Sequence, residues 1–61
     1  MKIDHLLNAC RLHEEFLKSL HLAHTDAVNS GNQFAEIVIL TMLEEATKSS
    51  QHLARIREAA Q

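Results

Sequence analysis

The first half of the chain carries an amphipathic pattern with helical spacing. Apolar and weakly polar residues recur at alternating intervals of four and three positions: Leu6, Cys10, His13, Leu17, Leu20, His24 and Ala27. Such steps place side chains on one side of a helix with about 3.6 residues per turn. Charged residues such as Arg11, Glu15 and Lys18 gather on the opposite side. The pattern predicts a helix over about residues 4–29 whose apolar seam faces another helix.

The second half predicts another helix, over about residues 33–59. One stripe of apolar and small residues runs along it: Ala35, Val38, Met42, Ala46, Ser49, Leu53, Ile56 and Ala60. The small side chains in this stripe favour close approach of two antiparallel helices that cross at about 20°. We therefore predict that Val38, Met42, Leu53 and Ile56 complete the seam begun by the first half.

One cluster of turn-forming residues, Asn29-Ser30-Gly31-Asn32, separates the two halves. Gly31 is the only glycine, and it suits the left-handed conformation that commonly ends a helix. Ser30 stands three residues before Gln33, which is the spacing of a capping box, and Asn32 is an alternative N-cap. These signals predict a turn over residues 30–32 in a single all-α domain, an antiparallel two-helix hairpin.

Residues 37–43 are apolar on nearly every side of the predicted second helix. With Val38 and Met42 assigned to the seam, four large side chains remain outside it: Ile37, Ile39, Leu40 and Leu43. A helix that is apolar all round is normally buried all round, and one neighbouring helix covers only one side. We therefore predict that these four residues bind a partner chain, either a different protein or a second copy, and that this assembly completes the hairpin.

The composition agrees with a small helical domain that needs support from another chain. Of 61 residues, 46% are apolar and 23% charged, and proline, tryptophan and tyrosine do not occur. Near this length one core rarely contributes more than about 3–5 kcal/mol of stability. A single cysteine excludes an intramolecular disulfide and suits a reducing compartment.

Charge and hydropathy narrow the choice of compartment and partner. The first residues, with Lys2, Asp4 and His5, lack the apolar core of a signal peptide. The apolar stretch 37–43 is far shorter than the about 20 residues of a membrane helix. A net charge of −2 gives no electrostatic basis for binding nucleic acid or an anionic membrane. We expect a cytoplasmic protein without membrane insertion, whose partner is not a nucleic acid.

The sequence predicts neither a metal site nor a catalytic site. Cys10 and His13 are three residues apart, as are His21 and His24, and bundles use this spacing for zinc ligands. Without an aligned carboxylate, the sequence favours a packed Cys10 and seam histidines that are hydrogen-bonded through one ring nitrogen. The chain also has no nucleophile elbow and no Gly-rich phosphate loop. We expect no enzymatic activity, no cofactor or metal, and no small-molecule substrate.

The turn and the second helix carry a family resemblance. The features are two amphipathic arms, a glycine-containing turn followed by Asn32-Gln33-Phe34, and surplus apolar surface on a second helix containing Leu43-Glu44-Glu45. In this layout the whole chain resembles the small helical-hairpin co-chaperones of type III secretion needle subunits. The resemblance implies a bacterial cytoplasmic protein without catalytic residues. It would help a larger helical-repeat chaperone to keep an aggregation-prone secreted subunit soluble.

A second interpretation is a homodimeric four-helix bundle that acts as a regulator. In size and layout alone the chain resembles the Rop-type RNA-binding hairpins. Its basic residues are dispersed, however, and its two phenylalanines suit a structural role better than base stacking. The sequence therefore predicts a non-enzymatic protein-interaction module and leaves both a hetero-oligomeric co-chaperone or adaptor and a homodimer open.

Overall fold

The computed structural model describes residues 2–60 as two helices that pack against each other. Helix α1 spans Ile3–Asn29 and helix α2 spans Gln33–Ala60. Together they form a flat hairpin with Cα extents of 45 by 15 by 11 Å. The predicted all-α helical hairpin is confirmed, and its completion by another chain stays a prediction. Within the described residues, neither helix is long and apolar enough to cross a membrane.

Helix α1 ends in backbone hydrogen bonds that fold the chain back on itself. The Ser30 N–H donates to the Asp26 carbonyl and the Asn32 N–H donates to the Ala27 carbonyl, each at 3.0 Å. Between them Gly31 adopts a φ of 70°, the left-handed conformation that its position in the sequence predicts. The last carbonyls of α1 are therefore satisfied within the turn.

Asn32 opens helix α2. Its side-chain Oδ1 accepts a hydrogen bond from the Ala35 N–H at 3.1 Å, and its carbonyl accepts from the Glu36 N–H at 3.0 Å. The Ser30 hydroxyl instead donates back to the Ala27 carbonyl at 3.2 Å. Of the two capping residues that the sequence offers, Asn32 is therefore the one that caps α2.

We expect Gly31→Ala to lower the free energy of unfolding by about 1 kcal/mol, because a side chain strains the backbone at a positive φ. No atom lies within 4 Å of a Cβ built at this position, so backbone strain is the whole cost. Gly31→Asn is the control, since asparagine tolerates the left-handed region and should lose less. Urea denaturation at one fixed protein concentration measures all three. Equal stability of Gly31→Ala and the parent would contradict the assigned turn.

The contact between the helices buries few side chains. Among the described residues only four are buried, Leu6, Leu20, Ala27 and Ala46, and none of them is fully inaccessible. On α1 the remaining predicted seam residues are half-buried: Cys10, His13, Leu17 and His24. The side of α1 that the heptad spacing selects is therefore the side that lies against α2.

Helix α2 is rotated by about one residue relative to its predicted stripe. The buried and half-buried positions along it are Ala35, Glu36, Ile39, Leu43, Ala46, Ser50 and Leu53. Leu53 lies in the seam, but Val38, Met42 and Ile56 are exposed by 41%, 39% and 41%. Their assignment to the seam is wrong.

The correction has a physical reason in the size of the competing residues. Neighbouring residues on a helix point about 100° apart, so a shift of one residue exchanges Val38 and Met42 for Ile39 and Leu43. The observed rotation buries part of the bulkier, wholly hydrocarbon pair against α1. Both rotations keep Ala46 and Leu53 facing the partner helix, which is why spacing alone does not distinguish them.

Candidate interaction surface

One broad side of the hairpin is lined by apolar side chains from both helices. We call this surface the front face and define it by its apolar residues, Leu12, Phe16, Ala23, Val38, Met42 and Ile56. Two polar residues, Glu45 and Ser49, lie among them on α2. Helical spacing places each set of three along one flank of its own helix, beside the seam. A shallow groove shows that the two flanks adjoin, because its lining comes from both helices: His13, Phe16, Met42, Glu45, Ala46 and Ser49.

The opposite side, the back face, has a different composition. Helical spacing assigns six residues to the equivalent positions on that side: Leu7, Glu14, Thr25, Leu40, Thr47 and Glu58. Only two of them are large and apolar, and the threonines are occupied locally. The Thr25 hydroxyl donates to the His21 carbonyl at 3.2 Å and the Thr47 hydroxyl to the Leu43 carbonyl at 2.8 Å. The back face therefore has the mixed character of a solvated surface.

The exposed apolar side chains outnumber the buried ones. Eleven large apolar residues are exposed: Leu7, Leu12, Phe16, Leu22, Val28, Phe34, Ile37, Val38, Leu40, Met42 and Ile56. Five of them belong to the front face. Single exposed apolar residues are normal on protein surfaces, but a contiguous apolar surface marks an interaction site. The front face is therefore the candidate functional site of this chain.

Charged groups lie mostly away from the front face. Arg11 on the outer side of α1 bonds to Glu15 at 3.2 Å and to the Asn8 side chain at 2.9 Å. Both partners of the ion pair are well exposed, so its contribution to stability is below about 1 kcal/mol. On the front side, Glu45 is the carboxylate beside the groove that Phe16 and Met42 line.

The four predicted partner-binding residues do not share one surface. Ile39 and Leu43 are half-buried in the seam, so their assignment to an outward surface is wrong. Leu40 is exposed on the back face, and Ile37 is 65% exposed on the outer edge of α2. Partner contact by any of the four stays a prediction. The four residues lie within seven positions, and successive steps of about 100° spread them around the helix.

The sequence pattern does not predict the front face as a whole, although the α1 half of this face shows regular helical spacing. Leu12, Phe16 and Ala23 follow one another at intervals of four and seven, the same helical repeat as the seam one flank away. On α2 the corresponding residues, Val38, Met42 and Ile56, are the ones that helical spacing assigns to the seam. The surface becomes visible only when the rotation of α2 is known.

His13 links the two helices through a polar contact. Its Nε2 donates a hydrogen bond to the Ala46 carbonyl at 2.8 Å, as a seam histidine with one bonded ring nitrogen is expected to do. Its ring also lies 6.3 Å, centroid to centroid, from the ring of Phe16. His13 thus joins the seam to the front face and fixes the axial position of α1 against α2.

His24 occupies an equivalent place in the seam but lacks such a bond. Its Nε2 is buried and has no hydrogen-bond partner in the structure. Nε2 is therefore not the ring nitrogen that carries the hydrogen bond predicted for His24. A buried polar atom left without a partner costs about 1–3 kcal/mol.

A second groove lies near the open end of the hairpin. It has a volume of about 400 Å³ and is lined by Cys10, His13, Glu14, Ser50, Leu53, Ala54, Arg57 and Glu58. Cys10 is a half-buried free thiol. Within residues 2–60, no three His, Cys, Asp or Glu side chains come together as a group that could hold a metal ion. The groove mixes charges of both signs without a convergent set of ligands.

Comparison with known proteins gives no relative from which a role could be transferred. No protein-family model matches this chain, and no curated protein or solved structure matches it significantly. The function must therefore be inferred from the surface of the hairpin itself.

Proposed function

We propose that this chain is a non-enzymatic protein-interaction module whose front face binds other helices. One observation supports this function above all: five large apolar side chains are exposed on one face of a hairpin that has only four buried residues among those described. A hairpin of this kind gains more from covering its surface than from its own core. Binding and folding are therefore coupled in this protein.

The chemistry of the front face favours an apolar, helical partner surface. Phe16, Val38 and Met42 present rings, branched chains and a thioether but no hydrogen-bonding group that would recognise a polar ligand. Burying one such side chain completely stabilises a complex by about 1.5–3 kcal/mol. Partner helices with apolar residues at the same spacing would fit between these side chains, as in other helical bundles.

The narrower role that we propose is that of a small co-chaperone or adaptor of a bacterial secretion system. The layout of two amphipathic arms around a glycine-containing turn supports it, as does the exposed apolar surface. A hairpin that covers an apolar helix of another protein keeps that helix out of contact with further copies. In this role the chain works by occupying a surface, with no bond made or broken.

We expect Phe16→Asp to remove binding and Leu7→Asp to leave it intact. Phe16 is 45% exposed on the front face and Leu7 is 39% exposed on the back face, so the two changes introduce the same charge into α1 at similar exposure. The tagged chain, produced in its source cells with an untagged copy, is isolated with its bound proteins. Mass spectrometry should show proteins, the untagged copy included, that are retained by the parent and Leu7→Asp. Their retention by Phe16→Asp should be about tenfold lower, equivalent to about 1.4 kcal/mol.

The proposal fails if the three forms retain the same proteins to the same extent, or if nothing is retained by any of them. Because Leu7→Asp carries the same added charge and loses more helix propensity than Phe16→Asp, intact binding by Leu7→Asp separates a surface effect from a general effect on α1.

A further inference from the structure

We infer that the occupant of the front face is a second copy of this chain, so that two hairpins pack front to front as a four-helix bundle. The inference rests on the broader part of the proposed function, an interaction module whose front face binds other helices, and it takes a second copy instead of another protein as the occupant of that face. Four properties of the hairpin support it: its surface area, and the shape, the extent and the charges of its front face.

The hairpin exposes more surface than a compact monomer of its mass. Its accessible surface is 4799 Å². Folded monomers of 6.9 kDa expose about 4000 Å² by the usual scaling of surface with mass, which leaves an excess of about 800 Å². A standard protein interface buries about 800 Å² on each partner. The hairpin can therefore bury the area of a standard interface and still expose as much surface as a compact monomer.

The front face contains both a protruding side chain and a recess that could receive one. Phe16 protrudes, and the groove beside it has a volume of about 210 Å³ between Phe16, Met42 and the small residues Ala46 and Ser49. An interface between two copies related by a twofold axis pairs the same surface with itself. Such a surface therefore needs both a protruding side chain and a recess that receives it. The groove is large enough for an aromatic or methionine side chain from a second front face.

The extent of the face sets the size of the partner. The front face runs from Leu12 to Ala23 on α1 and from Val38 to Ile56 on α2, along a hairpin 45 Å long and 11 Å thick. A flat pair of helices can cover both helices over this length. A second hairpin of the same chain has this form and produces the two-layer helical arrangement in which a common core is buried.

The charges on the front face permit self-association. The carboxylate on this face is Glu45, which is exposed and lines the groove beside Met42, so a front-to-front pair must leave this carboxylate at an edge of the groove that solvent reaches. The basic residues Arg11, Lys18 and Arg55 lie on the outer or back sides by helical spacing. Two copies therefore meet without a row of like charges, which would otherwise oppose association.

Sedimentation equilibrium and circular dichroism of the purified full chain test this inference. We expect a species of twice the 6.9 kDa chain mass, with helix content that falls together with the dimer fraction on about hundredfold dilution. A monodisperse monomer with unchanged helicity over that range would overturn the inference. So would a chain that forms only an assembly with a different protein.

Val38→Asp and Leu40→Asp form the matched pair of variants. Their parent residues are 41% and 43% exposed on the same helix, but Val38 lies on the front face and Leu40 on the back face. Val38→Asp should raise the dimer Kd about a hundredfold or more, and Leu40→Asp should leave it within about threefold of the parent. Equal weakening by both variants, or weakening by Leu40→Asp alone, would overturn the choice of the front face.

Val38→Ala gives a readout in case Val38→Asp does not fold at any concentration. It removes two methyl groups without adding a charge, and alanine favours helix. It should stay helical at high concentration and raise the dimer Kd about tenfold, whereas Leu40→Ala should not. A parent chain that is monomeric alone but still retains proteins in cells through Phe16 would overturn the second copy as occupant and leave the proposed function standing. A monomeric parent whose retained proteins are unaffected by Phe16→Asp would overturn both the second copy as occupant and the proposed function.

Discussion

Leu20→Ala is expected to lower the free energy of unfolding by about 2–4 kcal/mol, whereas Leu22→Ala should change it by less than about 0.5 kcal/mol. Leu20 is 7% exposed in the seam and Leu22, two residues later in the same helix, is 69% exposed. Both substitutions delete the same atoms and gain the same helix propensity. The difference between them therefore reports burial against α2 alone. For a hairpin with so few buried residues, the larger loss approaches the whole stability of the fold.

Denaturant unfolding followed by circular dichroism measures this pair. All samples must be at one protein concentration. Any binding to a second chain would make the apparent stability depend on the logarithm of the protein concentration. Similar losses for the two variants would show that the seam does not run along the side of α1 that carries Leu6, Leu20 and Ala27.

His24→Leu is expected to raise the free energy of unfolding by about 1–2 kcal/mol, and His13→Leu to lower it by about 1 kcal/mol. The two histidines lie in the same seam but differ in their bonds. The unpartnered Nε2 of His24 is removed at no cost in hydrogen bonds, and leucine adds apolar contact with α2. Leucine at position 13 loses the bond to the Ala46 carbonyl.

The same substitution at both sites makes each variant the control for the other. Thermal and urea unfolding of the two variants and the parent, again at equal concentration, give the sign of each change. Two stabilised variants would mean that the bond from His13 to Ala46 contributes nothing. A destabilised His24→Leu would mean that the His24 ring has a partner in the folded protein.

Helix α1 could be predicted in detail because its seam is the longest apolar stripe on the helix. A rotation by one residue in one direction would bury Arg11 and Lys18, and a rotation in the other direction would bury Asp26 together with the front-face residues of α1. The turn was equally well defined, since Gly31 is the single residue in the chain that adopts a left-handed φ without strain.

Helix α2 could not be placed in the same way because its two sides compete. Near the turn, both Val38 with Met42 and Ile39 with Leu43 are apolar pairs at helical spacing. Near the open end, Ile56 favours the rotation that places Val38 and Met42 in the seam. The charged Arg57 disfavours the rotation that places Ile39 and Leu43 there. Only packing against α1 decides between them, and local spacing carries no information about that packing. The α2 half of the front face is exposed only in the observed rotation. Helical spacing alone therefore does not predict the front face.

The hydrogen-bonded turn also determines the order in which the hairpin can form. The Asn32 side chain caps α2, and its N–H bonds to the Ala27 carbonyl at the end of α1. The residues on either side of the turn are therefore brought together by a very short loop. Each further helix–helix contact toward the open end then extends the pairing by one turn. Chains with such local contacts fold in microseconds to milliseconds. In the proposed dimer the encounter of two chains would be the slower step at low concentration, and it would then set the rate at which the assembled structure forms.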